Sequence, residues 1–235
     1  MKNKKLIFLT AIVALMGLMI VITNLPIKQQ DSKLDEIPKK EKIDELPVVN
    51  SNGNFVSYEN FDTLEQNSEL IIIAQATEKF EDREHINKYH ETPEDKYQPK
   101  FLIEGITKTN VKIKEVLKQP ESENYREGQI LSVIEPITIF EDTDKIKKIK
   151  TISNYKEIGT DDYILFLQKN TFGEYGVINM NNGRYNLSNT DEFNSIKTLS
   201  ASEEREQAED LLQHQEIKET ILKTYGVEIK EIQNQ

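Results

Sequence analysis

Beyond residue 55, the apolar residues of this chain come in short β-branched runs, and these runs most constrain its fold. The run Leu70-Ile71-Ile72-Ile73 is too short and too β-branched to favour a helix. Similar runs lie in "REGQILSVIEPITIF", where Pro136 predicts a bend, and in "DDYILFLQK" after an acidic turn. Turn signals between such runs favour antiparallel pairing of neighbouring strands. The chain is therefore predicted to be mainly β with some α.

The stretch "TKTNVKIKEVLKQP", 107–120, predicts a strand with one wet face. Val111 and Ile113 have one parity, and Lys108, Lys112 and Lys114 have the other. Three lysines can form a binding surface, but they are also the ordinary solvent side of an antiparallel sheet. We interpret the lysine row as a solvated face.

Local signals predict three further features. Phe61 and Leu64 anchor a short amphipathic turn, and Asn182-Gly183 favours a tight hairpin that pairs 177–180 with 184–187. The segment 81–100, "EDREHINKYHETPEDKYQPK", is so charged that it is predicted to be a loop or an exposed excursion.

A C-terminal helix is predicted over 200–226. Ser200 or Ser202 can cap its start, acids follow in the first turn, and Gly226 can end it. Its apolar stripe is narrow, so the helix either packs on its own domain, which is the expectation here, or protrudes towards a partner.

The N-terminus predicts a membrane-targeting segment. Lys2, Lys4 and Lys5 precede an uncharged run of about 18 residues, 6–23, near the lower limit for spanning a bilayer. The positive-inside rule then puts 1–5 in the cytoplasm and the body of the chain outside. The length of the run and the lack of a small-x-small site favour an uncleaved anchor, with secretion after signal cleavage as the alternative.

The predicted domain organisation follows from these boundaries. Residues 24–54, rich in Lys, Asp, Glu and Pro, are predicted to be a flexible charged tether. Residues 55–199 are predicted to form an extracytoplasmic β-barrel domain, and residues 200–235 to form the C-terminal helix and tail.

Composition excludes several classes of function. Setting aside the three N-terminal lysines leaves 27 basic against 41 acidic residues, a net charge of −14. Such a body is repelled by phosphate backbones and by anionic lipid headgroups, so no nucleic-acid partner is expected. The chain has no cysteine, which removes disulfides, thiolate nucleophiles and Cys-ligated zinc.

A search for catalytic or metal-binding constellations leads to no predicted site. His85 and His90 are five residues apart, which suits neither a helical zinc site nor one face of a strand, although Asp82, Glu84 and Glu91 lie nearby. The acids Glu141, Asp142 and Asp144 lack the glycine and the distal glutamate of a calcium loop. We therefore expect no enzyme, no cofactor and no metal.

Four segments together resemble a known pattern. Residues 68–77, 111–118, 128–133 and 163–167 match "sDLIvvGkV", "vkVkeVLKG", "G-x-x-I-x-V" and "Y-x-L-F-L" strands. The chain thus resembles a loosely defined group of membrane-anchored or exported proteins of Gram-positive bacteria with a small OB-like, TIMP/netrin-like β-barrel. That resemblance covers about 120 residues and implies a small antiparallel barrel, with no catalytic residues. Gln119 replaces a frequent glycine, and the cysteine of a TIMP-type inhibitory edge is absent.

Three functions are compatible with these features of the chain. The first is a membrane-anchored extracytoplasmic binding domain, with a possible protein partner in the cell envelope. The second is an envelope-acting enzyme that uses acidic residues. The third is an accessory subunit that docks on a membrane protein through the C-terminal helix. The lack of a catalytic motif favours the first.

Overall fold

The computed structural model describes residues 43–90, 101–188 and 201–227, with side chains described from residue 209 in the last range. The described part of the chain is mainly β with two helices. Its strands are β1 (Val48–Ser51), β2 (Leu70–Ala76), β3 (Glu84–Tyr89), β4 (Leu102–Lys118), β5 (Ile130–Glu135), β6 (Ile137–Glu141), β7 (Lys147–Ile152), β8 (Tyr163–Lys169), β9 (Tyr175–Val177) and β10 (Arg184–Asn186). The helices are α1 (Phe61–Asn67) and α2 (Ala201–Tyr225).

Five of these strands close into a barrel. The order is β2, β4, β5, β9, β8 and back to β2. The predicted barrel is therefore confirmed, but it is not wholly antiparallel, because β5 and β9 run parallel. The reason is geometric: an odd number of strands cannot close a ring in which every neighbour is antiparallel.

Two strands of the barrel are buried on both faces. On β2, Leu70 and Ile72 point into the barrel, whereas Ile71 and Ile73 pack under the helices. On β8 the same division separates Leu165 from its neighbours Ile164 and Phe166. Continuous apolar runs arise where a strand is covered on both sides.

The two helices cover this side of the barrel. Phe61 and Leu64 of α1 and Ile217 and Ile221 of α2 all lie in one apolar cluster with the outer side chains of β2 and β8. The predicted C-terminal helix is confirmed, with Gly226 in the left-handed conformation just beyond its end, at φ +64°. It packs on its own domain, as expected.

A second sheet lies outside the barrel and corrects the predicted tether. Its order is β1, β7, β6, and β1 pairs with β7 in parallel from Val48 to Ser51. The predicted flexible tether, 24–54, is therefore wrong for its last residues. The many charged residues of the segment outweighed the strand signal of Val48 and Val49. These valines and Ser51 belong to a strand that pairs along β7.

The charged excursion also contains regular structure. Strand β3 pairs with the first half of β4, from Glu84 opposite Lys108 to Tyr89 opposite Leu102, and forms a two-stranded arm. The loop prediction is therefore wrong for 84–89. The side chains of β3 are alternately exposed and half-buried, and their polar members meet β6, so polarity here does not mark a loop.

The Asn-Gly hairpin prediction is wrong. Met180–Gly183 forms a 3₁₀ turn, and β10 pairs with β8 instead of β9. Asn179 and Met180 adopt positive φ. Pairing with β8 buries Tyr185 completely in the helix-covered cluster, a long-range gain that outweighs the local turn preference.

The predicted N-terminal segments, 1–5 and 6–23, lie outside the described residues, as does the tether as far as residue 42. Within the residues that are described, neither helix combines the length and apolar character needed to cross a bilayer.

Candidate functional site

Glu135 and Arg83 form a buried ion pair that has a structural role in the barrel. Glu135 is fully buried and accepts from four donors: Arg83 Nη1 (3.2 Å), Tyr155 Oη (2.9 Å), the backbone N–H of Ile158 (2.7 Å) and the Thr109 hydroxyl. Burial raises the pKa of Glu135, while the Arg83 cation and these donors oppose the rise. The carboxylate is enclosed and satisfied, so it is not available to a substrate.

Arg83 is anchored just as completely. Its Nη2 donates to the carbonyl oxygens of Ile158 (2.6 Å) and Glu78 (2.9 Å), and its Nη1 donates to Thr109 Oγ1 (3.2 Å) as well as to Glu135. The guanidinium therefore joins the loop before β3 to the segment before β8. This ion pair fixes the end of the barrel.

The lysine row lies where the sequence predicts it. Val111 and Ile113 are buried in the barrel, Lys112 and Lys114 are exposed, and Lys108 is half-buried. Two of the lysines are engaged by the chain itself.

Two lysines of the row form ion pairs with acids of this chain. The ammonium of Lys108 lies 3.3 Å from Glu174, and that of Lys114 lies 2.8 Å from Asp162. Pairs of this kind at the surface contribute about 0–1 kcal/mol. They favour the solvated-face interpretation of the row, because the charges of Lys108 and Lys114 are already paired with acids of this chain.

The turn between β8 and β9 presents an aromatic side chain to solvent. Phe172 at its tip is 86% exposed, the highest value among the described large apolar residues that are exposed. The side-chain oxygen of Asn170 accepts from the backbone N–H groups of Phe172 and Glu174, each at 2.9 Å. Gly173 supplies the positive φ, +81°, that the turn requires.

Electrostatics hold the same turn in place. The amide of Asn170 donates to the Glu174 carboxylate (3.2 Å), and the Lys108 ammonium lies on its other oxygen. Both contacts lower the pKa of Glu174, the Asn170 contact more strongly. Phe172 is thus exposed on a turn that is already ordered, which reduces the entropy lost when a partner binds.

The histidines do not form a common site. His85 lies on β3 and bonds to β4 and β6, His90 stacks on Phe101, and His214 on α2 stacks on Tyr185. In the described part of the chain, no three His, Asp or Glu side chains come together in a way that could hold a metal ion. Glu91, which was considered above as a metal ligand beside His85 and His90, lies outside the described residues.

Asp142, one of the three acids compared above with a calcium loop, has a structural role. Asp142 Oδ1 accepts from the backbone N–H groups of Asp144 (2.9 Å) and Ile146 (3.1 Å), and its other oxygen pairs with Lys148. The lysine and these N–H groups lower the pKa of Asp142. This carboxylate closes the turn between β6 and β7.

Sequence reasoning missed the importance of Arg83, Glu135 and Phe172. The first two lie 52 residues apart in the chain and meet through the barrel. Phe172 had a local signal, because an aromatic residue in "QKNTFGEYG" stands between turn residues.

Fold and site together define a small closed β-barrel covered by helices on one side, with an ordered turn that presents an exposed aromatic residue. No family model matches this chain, and no match is found among curated proteins or solved structures.

Proposed function

We propose that this chain is a non-catalytic binding protein whose barrel is OB-like and whose partner is a protein of the cell envelope. We further propose that residues 6–23 hold it in the membrane with the barrel outside the cytoplasm, as the resemblance to exported Gram-positive proteins implies. The observation that carries the binding proposal is the ordered turn that exposes Phe172.

The strand order supports the OB-like part of the proposal. Counted along the chain, the barrel strands lie in the order first, second, third, fifth, fourth, with the third and fifth parallel. The OB fold is a five-stranded Greek-key barrel, and its ligands bind at the face of strands two and three and at neighbouring loops, including the loop between strands four and five. In this chain that loop is the turn that carries Phe172.

The other two functions have less support. An envelope enzyme needs acids that converge where a substrate can reach them, whereas Glu135 is enclosed and Asp142 closes a turn. An accessory subunit would use the exposed side of α2 around Leu212. The buried residues of α2 nearer its C-terminus, Ile217 and Ile221, are already committed to the barrel.

Site-specific photo-crosslinking tests the proposal. A photoreactive residue is placed at Thr171, beside Phe172, or at Leu212 on α2, in the full chain in its native membrane. We expect a discrete protein adduct from position 171 that is lost when Phe172→Ala is added, because an aromatic anchor in a pocket typically contributes about 2 kcal/mol or more.

Each alternative has its own outcome in the same experiment. An adduct from position 212 alone would support docking through α2. Equal adducts from both positions, or an adduct at 171 that survives Phe172→Ala, would contradict binding at the turn.

A further inference from the structure

The edge of β6 that faces away from β7 is covered by side chains of the β3–β4 arm. The Asn87 amide donates to the carbonyl oxygen of Ile139 (2.9 Å), and the Thr107 hydroxyl donates to that of Ile137 (2.6 Å). The backbone N–H of Ile139 donates to Nδ1 of His85 (3.2 Å). Backbone groups that a further strand would use are thus occupied by polar side chains.

Close contact between the two elements accompanies these bonds. A Cβ at Gly105 would lie 2.3 Å from a methyl carbon of Thr138, so β4 approaches β6 where a side chain cannot fit. Thr138 in turn donates to Asn87 (2.9 Å). The β6–β7 hairpin is therefore docked on the arm through a small, mainly polar interface.

His85 is the titratable member of that interface. Because Nδ1 accepts from Ile139, the proton is on Nε2, which donates to the carbonyl oxygen of Phe80 (3.1 Å). The Thr107 hydroxyl lies 2.9 Å from Nδ1. The contacts with Ile139 and Phe80 fit the neutral imidazole that carries its proton on Nε2.

We propose that His85 is a pH-sensitive clamp, and that protonation of its Nδ1 weakens the hold of the β3–β4 arm on the β6 edge. A protonated Nδ1 cannot accept from Ile139, so a backbone donor loses its partner in a half-buried position. The new N–H can donate to Thr107 Oγ1, 2.9 Å away, whereas the backbone N–H of Ile139 loses its bond to the imidazole. Acid therefore removes one of the bonds that cover this edge.

The surroundings of His85 oppose protonation. Of the elements packed against it, β4 presents Thr107, β6 presents the backbone of Ile139, and the 3₁₀ turn Phe80–Asp82 presents the Phe80 ring edge-on at 5.0 Å. The charged group that acts on the ring is Arg83. Burial and this cation lower the pKa of His85 below its ordinary 6.5, while the Phe80 carbonyl opposes the shift.

The direction of the pH effect follows from that lowered pKa. Well above pH 6.5, His85 is neutral in both the docked and the undocked states, and the clamp is at full strength. As pH falls below this value, the undocked state takes up the proton first. The contribution of His85 to docking is therefore lost as the pH falls through the folded-state pKa.

Hydrogen–deuterium exchange on the full chain tests the clamp. Protection factors, corrected for the intrinsic pH dependence of exchange, are compared between about pH 7.5 and about pH 5, which bracket the ordinary histidine pKa. We expect peptides that contain Ile137–Glu141 to lose about tenfold in protection, as for one lost hydrogen bond, while β2 and β8 remain unchanged.

Matched variants separate the clamp from general acid effects. His85→Gln should abolish the pH dependence of the β6 peptides, whereas His90→Gln should retain it, because the His90 ring stacks on Phe101 and the bond to Ile139 is made by His85. Equal pH dependence in wild type and His85→Gln would overturn the proposal, as would protection of wild-type β6 that does not change with pH.

A second measurement does not depend on the variant folding. Exchange of the histidine C2 hydrogen in the wild-type chain gives the titration midpoint of His85 separately from those of His90 and His214. The midpoint for loss of β6 protection should coincide with that of His85. A β6 midpoint that follows another histidine, or none, would also overturn the clamp.

Discussion

At the scale of single residues, Arg83 and Glu135 form a buried ion pair whose role is structural. Both side chains are buried, at 1% and 0% exposure. Removing water from two charges is costly, and their attraction and the surrounding donors act against that cost. The pair links β5 to the loop before β3. Each of the two buried charges has the other as its counter-ion.

Removal of one partner should therefore be severe. We expect Arg83→Met to lower the free energy of unfolding by about 3–5 kcal/mol, because it leaves the Glu135 carboxylate buried without its cation. Urea unfolding of the full chain measures the change.

The control is Lys148→Met, which breaks the half-buried pair with Asp142 at the protein surface and should cost about 1 kcal/mol or less. The double change Arg83→Met with Glu135→Gln should recover part of the loss. Equal effects from Arg83→Met and Lys148→Met would show that the fully buried pair contributes no more than the half-buried one.

At the scale of elements, side chains along β4 alternate between the inside and the outside of the barrel. Its buried residues Val111 and Ile113 point into the barrel, and its lysines lie on the outside. The strand is also central, with β2 and β3 along one side and β5 along the other. Its inward residues therefore bear on the stability of the whole barrel, whereas Lys108 and Lys114 on the outside make only surface ion pairs.

Substitutions on the two faces should differ sharply. Changing Lys108, Lys112 and Lys114 together to Gln should alter the free energy of unfolding by less than about 1 kcal/mol, since two surface ion pairs are lost and no apolar contact is. Val111→Asp should unfold the barrel, because it buries an unpaired charge.

Thermal unfolding followed by circular dichroism measures both changes. Loss of the crosslinked partner after the lysine changes, with folding intact, would assign the row to binding and contradict the solvated-face interpretation.

At the scale of the whole molecule, the proposed membrane topology sets where the barrel operates. The charge pattern at 1–23 predicts an N-terminus in the cytoplasm and a body outside it. A strongly acidic body stays soluble beside an anionic membrane surface from which it is repelled.

Fusion of a reporter to the C-terminus tests this topology. We expect activity from a reporter that functions only outside the cytoplasm, and we expect the fusion to sediment with membranes, because the three lysines orient the apolar run. Replacing Lys2, Lys4 and Lys5 with Glu in the same fusion is the matched control and should reduce export. A soluble product that begins near Ile27 would instead establish cleavage.

Much of the barrel could be predicted because its signals are local. The inward and outward parity of β4, the break at Pro136 and the end of α2 at Gly226 each follow from a few adjacent residues. Strand β3 and the 3₁₀ turn at Met180–Gly183 could not be predicted in this way. Their conformations depend on β4, β6 and β8, which lie elsewhere in the chain.

The sequence by itself determined which segments are strands or helices wherever apolar residues recur with a clear period, because periodicity reports which face is buried. It determined the acidic character of the body and the lack of cysteine chemistry. Only the tertiary structure decided that β9 closes the barrel in parallel with β5, that Glu135 meets Arg83, and that His85 binds the edge of β6. These features depend on contacts between distant residues, and no local pattern encodes which distant group will complete a hydrogen bond or an ion pair.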